Sequence, residues 1–363
     1  MKYSFNLFAT IIALSFTQVV VAQRQSAAAS GDSAQLSGMH RAIAGGEYPN
    51  VHSVLISHKG KLVFERYYRG KDEALGDDLG EINHSPVTLH DMRSVTKSVV
   101  SICIGLAIQQ RRIKNVNERV MGFFPEHKNL DTGLRSKLTI KHLLTMSSGI
   151  EWNENLPYTD TLNSEIAMSV SADPVRFILT RRIVEVPGRS FSYNGGNSQL
   201  MSAILERSTG LPLDQFVAKH LFAPLAITAY SWYSISETNK TPAAASGLRL
   251  RPPDMLKIGI LLVNDGVYEG KRILTKSWVD ESLTSHVARG DGGGYGYQFW
   301  ILSTPGNSDH RPLPTAVGNG DQRIFIDRKK QLVVTVTAGN YNKWDLKKAS
   351  YELLSDFVYP AFE

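Results

Sequence analysis

The run from Ser94 to Gln110 constrains this chain more than any other. Val95, Val99, Val100, Ile102, Ile104, Leu106 and Ile108 fall on every side of the helix it predicts. A surface helix carries one apolar stripe, whereas this one has no face to give to water. It must therefore run through the middle of a domain, with the remaining chain wrapped around it. The 363 residues suffice for that; at roughly 150 residues per domain they fit two domains, or one large domain with an insertion. With 42% hydrophobic and 20% charged residues, the bulk of the chain lies outside the disordered class.

What precedes and follows the helix is different in character. Val51–Ser57 and Lys61–Tyr68 are β-rich runs joined by His58-Lys59-Gly60, which predicts a hairpin. Residues 70–90 read as a polar connection. Helical or short looped segments fill the centre, at Ile140–Met146, Pro174–Arg181, Gln199–Arg207, Asp254–Val263 and Lys276–Leu283. Tyr295–Leu302, Gln322–Asp327 and Leu332–Ala338 return to β character, and an amphipathic helix from Trp344 to Val358 closes the chain. Strands at both ends with helices between them imply an α/β (α+β) chain: one sheet assembled from the two termini, about 46–93 and 285–363, around a mostly helical inserted subdomain, about 94–284.

The N-terminus reads as a targeting segment. Phe5 to Ala22 carries no charge, follows Lys2 and ends in Val20-Val21-Ala22, which predicts a signal peptide over 1–22 cleaved near Ala22. An uncleaved anchor is the alternative reading. Cleavage implies a periplasmic or secreted protein with no stable membrane insertion, and residues 23–45, rich in Ser, Ala, Gln and Gly, read as a flexible lead-in. The one cysteine, Cys103, permits no internal disulfide, cysteine-rich zinc site or iron–sulfur cluster; facing the helix interior, it is expected to be inert.

Other signals exclude further classes. The formal charge of +6 is dispersed in pairs such as Arg111-Arg112, Arg181-Arg182 and Lys329-Lys330, with no basic tract interleaved with aromatics, so nucleic acid is not the expected partner. Gly-x-Ser-x-Gly does not occur. Gly290–Gly296 does not fit Gly-x-Gly-x-x-Gly and reads as a mobile loop. The ten histidines include no His-Glu-x-x-His and no close pair, so their spacing gives no metal site.

Ser94-Val95-Thr96-Lys97 carries the chemistry. At i and i+3 on a helix, the serine hydroxyl and lysine amine share one face within contact distance. This is the sole Ser-x-x-Lys in the chain, and it opens the most hydrophobic helix. Burial there is expected to lower the pKa of Lys97 toward the range of a base. Ser94 would sit at a helix N-terminus, where free N–H groups favour developing negative charge.

Thr88–Ser98 resembles the nucleophile segment of the serine hydrolases related to class C β-lactamases and penicillin-binding proteins. Further segments agree in order: His142–Gly149, Phe191-Ser192-Tyr193 leading to Leu205–Gly210, Ala245–Leu250, and Ala316–Asp327 with Thr337–Tyr341 behind it. The last run is most similar to the branch containing 6-aminohexanoate-dimer hydrolases and related esterases. The resemblance spans about residue 50 to the C-terminus and implies the β-lactamase/transpeptidase-like fold, with an antiparallel sheet flanked by helices.

It also implies site residues. Tyr193 would relay protons between serine, leaving group and water, its phenolate stabilised by cationic Lys97. Relatives often have Tyr-x-Asn; here the third position is Gly195, and Asn197 is the suggested substitute. Gly318 would let a strand approach the acyl group, with the N–H groups of Ser94 and Asn319 forming an oxyanion hole. Ala316 stands where β-lactam-recognising relatives carry a basic residue, which argues against β-lactams, although Arg323 offers a replacement. By their positions in the resemblance, Tyr158, Asp160 and Trp300 are pocket candidates, with surface or core roles as the alternative reading.

These features together predict an exported serine hydrolase, free of cofactor and metal, acting on a small-molecule ester or amide through a Ser94 acyl-enzyme. The alternatives are a D-alanyl-D-alanine peptidase or β-lactamase, and a non-catalytic binding or sensing protein. The sequence leaves the oligomeric state open.

Overall fold

A computed structural model describes residues 33–235, 240–305, 311–343 and 349–363. The proposed signal peptide lies outside them. The expected lead-in over 23–45 is corrected within its described part: Ser33–Ala44 forms helix α1, whose Leu36, Met39 and Ile43 are buried. Each such side chain withdrawn from water contributes about 1.5–3 kcal/mol, enough to dock a short helix that propensity alone would leave frayed.

Next come β1 (Val51–His58) and β2 (Lys61–Tyr67), the expected hairpin. The polar stretch over 70–90 is more ordered than its composition implied. It contains the hairpin of β3 (Arg69–Ala74) and β4 (Asp77–Asn83), then the short strand β5 (His90–Asp91). Ser94 caps α2 (Val95–Gln109), buried from Val95 to Ala107 as its all-round apolar sequence requires. Cys103 lies inside, its thiol pushed up by burial.

The central region supplies α3 (Ile140–Leu144), α4 (Ser164–Ser169), α5 (Pro174–Thr180), α6 (Gly195–Thr209) and α7 (Leu213–Val217). Strands β6 (Tyr230–Trp232) and β7 (Leu248–Leu250) pair with β5 in a small sheet, order β5-β7-β6. Helix α8 (Pro252–Val263) follows; the hairpin of β8 (Val267–Tyr268) and β9 (Lys271–Arg272) then leads to α9 (Lys276–Ser282). The chain returns through β10 (Val287–Ala288), β11 (Gly294–Tyr295), β12 (Trp300–Ser303), β13 (Pro312–Gly318), β14 (Gln322–Asp327) and β15 (Leu332–Ala338). The run expected over Tyr295–Leu302 is thus two strands, parted by a turn with Gln298 at positive φ.

The main sheet has eight antiparallel strands in the order β10-β11-β12-β13-β14-β15-β1-β2. The N-terminal hairpin joins the C-terminal strands through β1 and β15, so both termini build one sheet. Alternation then sorts side chains to two cores. Leu55, Ile324, Ile326 and Val333 face the cluster containing α2 and α8. Val54, Ile56, Phe325, Val334 and Val336 face α1 and the C-terminal segment, where α10 (Ala349–Leu353) runs into a π-helical turn over Leu354–Val358. The expected closing helix is therefore shorter and irregular, and its first residues, 344–348, lie outside those described. Helix α8 packs on β15, β14 and β1, so the part of the chain assigned to the helical subdomain before residue 285 includes a helix that belongs to the sheet.

Candidate active site

Ser94 stands where the loop from β5 meets α2. Arg93 before it holds φ +46°, a conformation costly for a side chain larger than glycine's and sustained here by ion pairs from Arg93 to Glu73 and Asp91. A Cβ at Gly318 would strike the carbonyl oxygen of Met92 and the Gln322 side chain. Glycine there is what lets the nucleophile loop lie against the end of β13, beside Asn319. Asn319 and Asn342 lock that corner with two side-chain hydrogen bonds, Nδ2 to Oδ1 at 2.8 Å and the Asn342 N–H to Oδ1 at 3.0 Å.

Lys97, one turn along α2, is 1% exposed. Its Nζ donates to Ser94 Oγ at 3.0 Å and to the Ala245 carbonyl at 2.9 Å, and lies 4.9 Å from the centre of the Tyr193 ring. The fold therefore brings together Ser94, Lys97 and Tyr193 from two elements. The protonation differs from expectation. Burial does work against the Lys97 ammonium, but Tyr193, Glu165 and Glu154 outweigh it and hold the amine above its ordinary value. Burial also raises the Tyr193 phenol, against the opposing pull of Lys97 and its hydrogen bond with Ser94. The resting site is thus an ammonium beside a phenol.

Two residues that the sequence did not single out complete it. The Glu154 carboxylate accepts from Trp152 Nε1 at 2.5 Å, Tyr158 Oη at 3.2 Å and the Gly195 N–H at 2.5 Å. Glu165, buried at the start of α4, accepts from Ser246 Oγ at 3.0 Å and shares a side-chain hydrogen bond with Glu154. Burial, then repulsion from Glu154, pushes the Glu165 carboxyl up to about 8. A Cβ at Gly195 would fall 2.5 Å from Glu165 Oε2 and 3.2 Å from Glu154 Oε2. Where relatives carry an amide, this chain has room for a carboxyl pair.

Two cavities meet at Ser94. One of about 920 Å³ is walled by Glu73, Arg93, Glu154, Tyr158 and Glu165; the other, of about 890 Å³, by Tyr193, Trp300, Arg289, Arg323, Val317 and Asn319. The first has a surplus of carboxyls. The second presents two guanidiniums, Arg289 lying 4.4 Å over the Trp300 ring and paired with Asp291, and Arg323 paired with Asp321 at 3.0 Å.

Three expectations are corrected. Asn197 is buried within α6, its Nδ2 toward Met146 Sδ at 3.5 Å, and lines neither cavity. Asp160 holds a turn by accepting from the Leu162 N–H at 2.8 Å and also lies outside the cavity walls. Ala316 belongs to the core cluster, so its lack of charge says little about ligands; Val317 faces the cavity instead. Tyr158, Trp300 and Gly318 do line the site.

Ser94, hydrogen-bonded to a lysine one helix turn away, is thus set between a helical region and the edge of an antiparallel sheet. Residues 39–355 match the family model described as beta-lactamase, and the chain belongs to that family. The 6-aminohexanoate-dimer hydrolase of Paenarthrobacter ureafaciens is 23% identical over 300 residues, 76% of this chain and 69% of its own length. Protein flp of Staphylococcus aureus (strain COL) is 25% identical over 205 residues, 56% of this chain; the match spans 39% of flp. Among solved structures, EstCE1, a hydrolase with promiscuous acyltransferase activity, superposes with a TM-score of 0.65 at 16% identity, covering 88% of this chain and 98% of its own. The protein is a beta-lactamase-family serine hydrolase with the transpeptidase-like fold.

Proposed function

We propose that Ser94 is the nucleophile of an exported hydrolase acting on small carboxylic esters and amides. The observation that carries this reading is the 3.0 Å hydrogen bond from Lys97 Nζ to Ser94 Oγ at the junction of two cavities. Tyr193, a phenol at rest, first gives its proton to solvent; the phenolate, held by the Lys97 ammonium, then takes the Ser94 proton as Oγ attacks the carbonyl carbon. Tyr193 returns the proton to the leaving alcohol or amine. Water then repeats the sequence on the acyl-enzyme. The N–H groups of Ser94 and Asn319 serve the oxyanion, at about 2.7–4 kcal/mol per donor.

The cavities support a narrower substrate class. The Glu154 carboxylate, with protonated Glu165 beside it, and Arg289 and Arg323 farther along suit a short chain with a cationic and an anionic end, cleaved between them. A linear amide of aminocarboxylic acids has that form, as does the substrate for which the Paenarthrobacter relative is named.

Turnover of p-nitrophenyl butyrate, nitrocefin and the linear 6-aminohexanoate dimer, with and without acetyl or methylamide caps on its ends, tests this. The ester and the uncapped dimer should be hydrolysed, with caps raising KM more than they lower kcat. Fast nitrocefin cleavage with an inert dimer would overturn the substrate class.

A further inference from the structure

The spacing of the ten histidines gives no metal motif, but the fold assembles what spacing does not. His52 on β1, Asp72 on β3, His84 just beyond β4 and His90 on β5 converge behind the nucleophile loop, each at most 8% exposed. Their ligand atoms stand close. His52 Nδ1 lies 2.9 Å from His90 Nε2; Asp72 Oδ1 lies 3.5 Å from His90 Nε2 and 4.0 Å from His52 Nδ1. Single ligand atoms of His52, Asp72 and His84 all fall within 4.8 Å of one another.

The outer hydrogen bonds fix the tautomers. His90 Nδ1 faces the Asp91 carbonyl at 3.1 Å and must donate to it. His52 Nε2 faces Asn50 Oδ1 at 3.3 Å. That oxygen is identified as an acceptor because it also receives the Lys71 N–H at 2.8 Å, while Asn50 Nδ2 donates to the Lys71 carbonyl at 2.9 Å. So His52 donates outward too. Both inward nitrogens, His52 Nδ1 and His90 Nε2, then present lone pairs to each other at 2.9 Å, which is repulsive unless a cation lies between them. The Nε2 of His84, whose ring stacks on His52 at 3.8 Å, is buried with no partner among the described residues.

We propose that His52 Nδ1, His90 Nε2 and Asp72 Oδ1 bind one divalent transition-metal ion of borderline softness, zinc first, with the His84 ring stacked on His52 rather than ligating. Imidazole nitrogens with one carboxylate are the donors such ions take. At zinc–nitrogen distances of 2.0–2.1 Å, tetrahedral ligands stand about 3.4 Å apart, and the 2.9, 3.5 and 4.0 Å separations bracket that value. Outward donation by both histidines to fixed oxygens is the arrangement that orients metal ligands. Asp72 Oδ1 is oriented in turn by the Glu73 N–H at 2.9 Å and the Tyr341 hydroxyl at 3.1 Å. The neighbouring guanidiniums are already balanced: Arg249 and Arg93 by Asp91, and Arg93 also by Glu73. Asp72 is thereby left to the ion. The site is a clasp that ties three strands together, its His90 four residues before Ser94, and it touches no reacting atom.

The full chain, stripped with a chelator and titrated with cobalt(II), should bind one equivalent and show the visible d–d absorption of a four-coordinate site with two imidazole ligands. Zinc should compete for it and raise Tm. His90→Ala and Asp72→Asn should lose the spectrum, and Ser94→Ala should keep it. If those variants do not fold, X-ray absorption of the zinc-loaded wild type decides by counting imidazole ligands. A featureless cobalt titration, or an all-oxygen shell, means that a proton alone sits between the histidines and overturns the proposal. Ester hydrolysis by Ser94 is measured separately, so either outcome leaves the proposed function to its own test.

Discussion

Glu165 and Gly195 occupy complementary space: a side-chain Cβ at position 195 would lie 2.5 Å from Glu165 Oε2. Neither can change alone without disturbing the other. Gly195→Ala is expected to cost about 1–3 kcal/mol through overpacking. Adding Glu165→Ala should return most of it. A double-mutant cycle in urea reads the coupling, and additive costs would show that the two positions do not share the space.

Stability should depend on pH through the same carboxyl. Burial first, then Glu154, raises Glu165 from 4.5 to about 8, so the folded chain holds this proton more tightly than the unfolded chain does. The resulting stabilisation is complete below the ordinary carboxyl pKa and is lost as pH rises to about 8. Relative to Glu165→Gln, the wild type should lose stability progressively across that window. Parallel stability curves for the two proteins would contradict the shift.

Arg289 lies 4.4 Å over Trp300 in the wall of the second cavity. Arg289→Ala should raise KM for a substrate with a free carboxylate by about tenfold, the value of one modest charged contact, and leave neutral esters unchanged. Equal losses for both would mean that the guanidinium acts by supporting Trp300 rather than by meeting the ligand.

The parts legible in the sequence were those with local signals. An apolar run on all sides could only be a buried helix, and Ser94 and Lys97 sit three residues apart on it, so their contact follows from helical geometry. The two-ended sheet followed from β character at both termini. The Glu154–Glu165 pair was hidden because its members lie eleven residues apart in an irregular segment and meet only through tertiary packing. Gly195 carried the available hint: read as a missing amide, it equally signalled that something else fills that volume. Asn197 misled because α6 begins at Gly195, capped by Asn194, which turns the next residues into the helix interior. Ala316 misled by one residue of strand register, since alternation sends 316 to the core and 317 to the cavity. For Lys97, burial was foreseeable, but the surrounding phenol and carboxyls that reverse its effect were not.

The central claim is that Ser94 is the nucleophile, driven by Lys97 and Tyr193. Intact-mass analysis after a fluorophosphonate probe, alongside p-nitrophenyl butyrate hydrolysis, tests it most directly. Wild type should gain one adduct, mapped to the peptide containing Ser94. Ser94→Ala should gain none and lose turnover, while Lys97→Ala and Tyr193→Phe should slow both reactions by about 10²–10⁴-fold, the range of a positioned general base. An unlabelled wild type, or Ser94→Ala hydrolysing at the wild-type rate, would contradict the account.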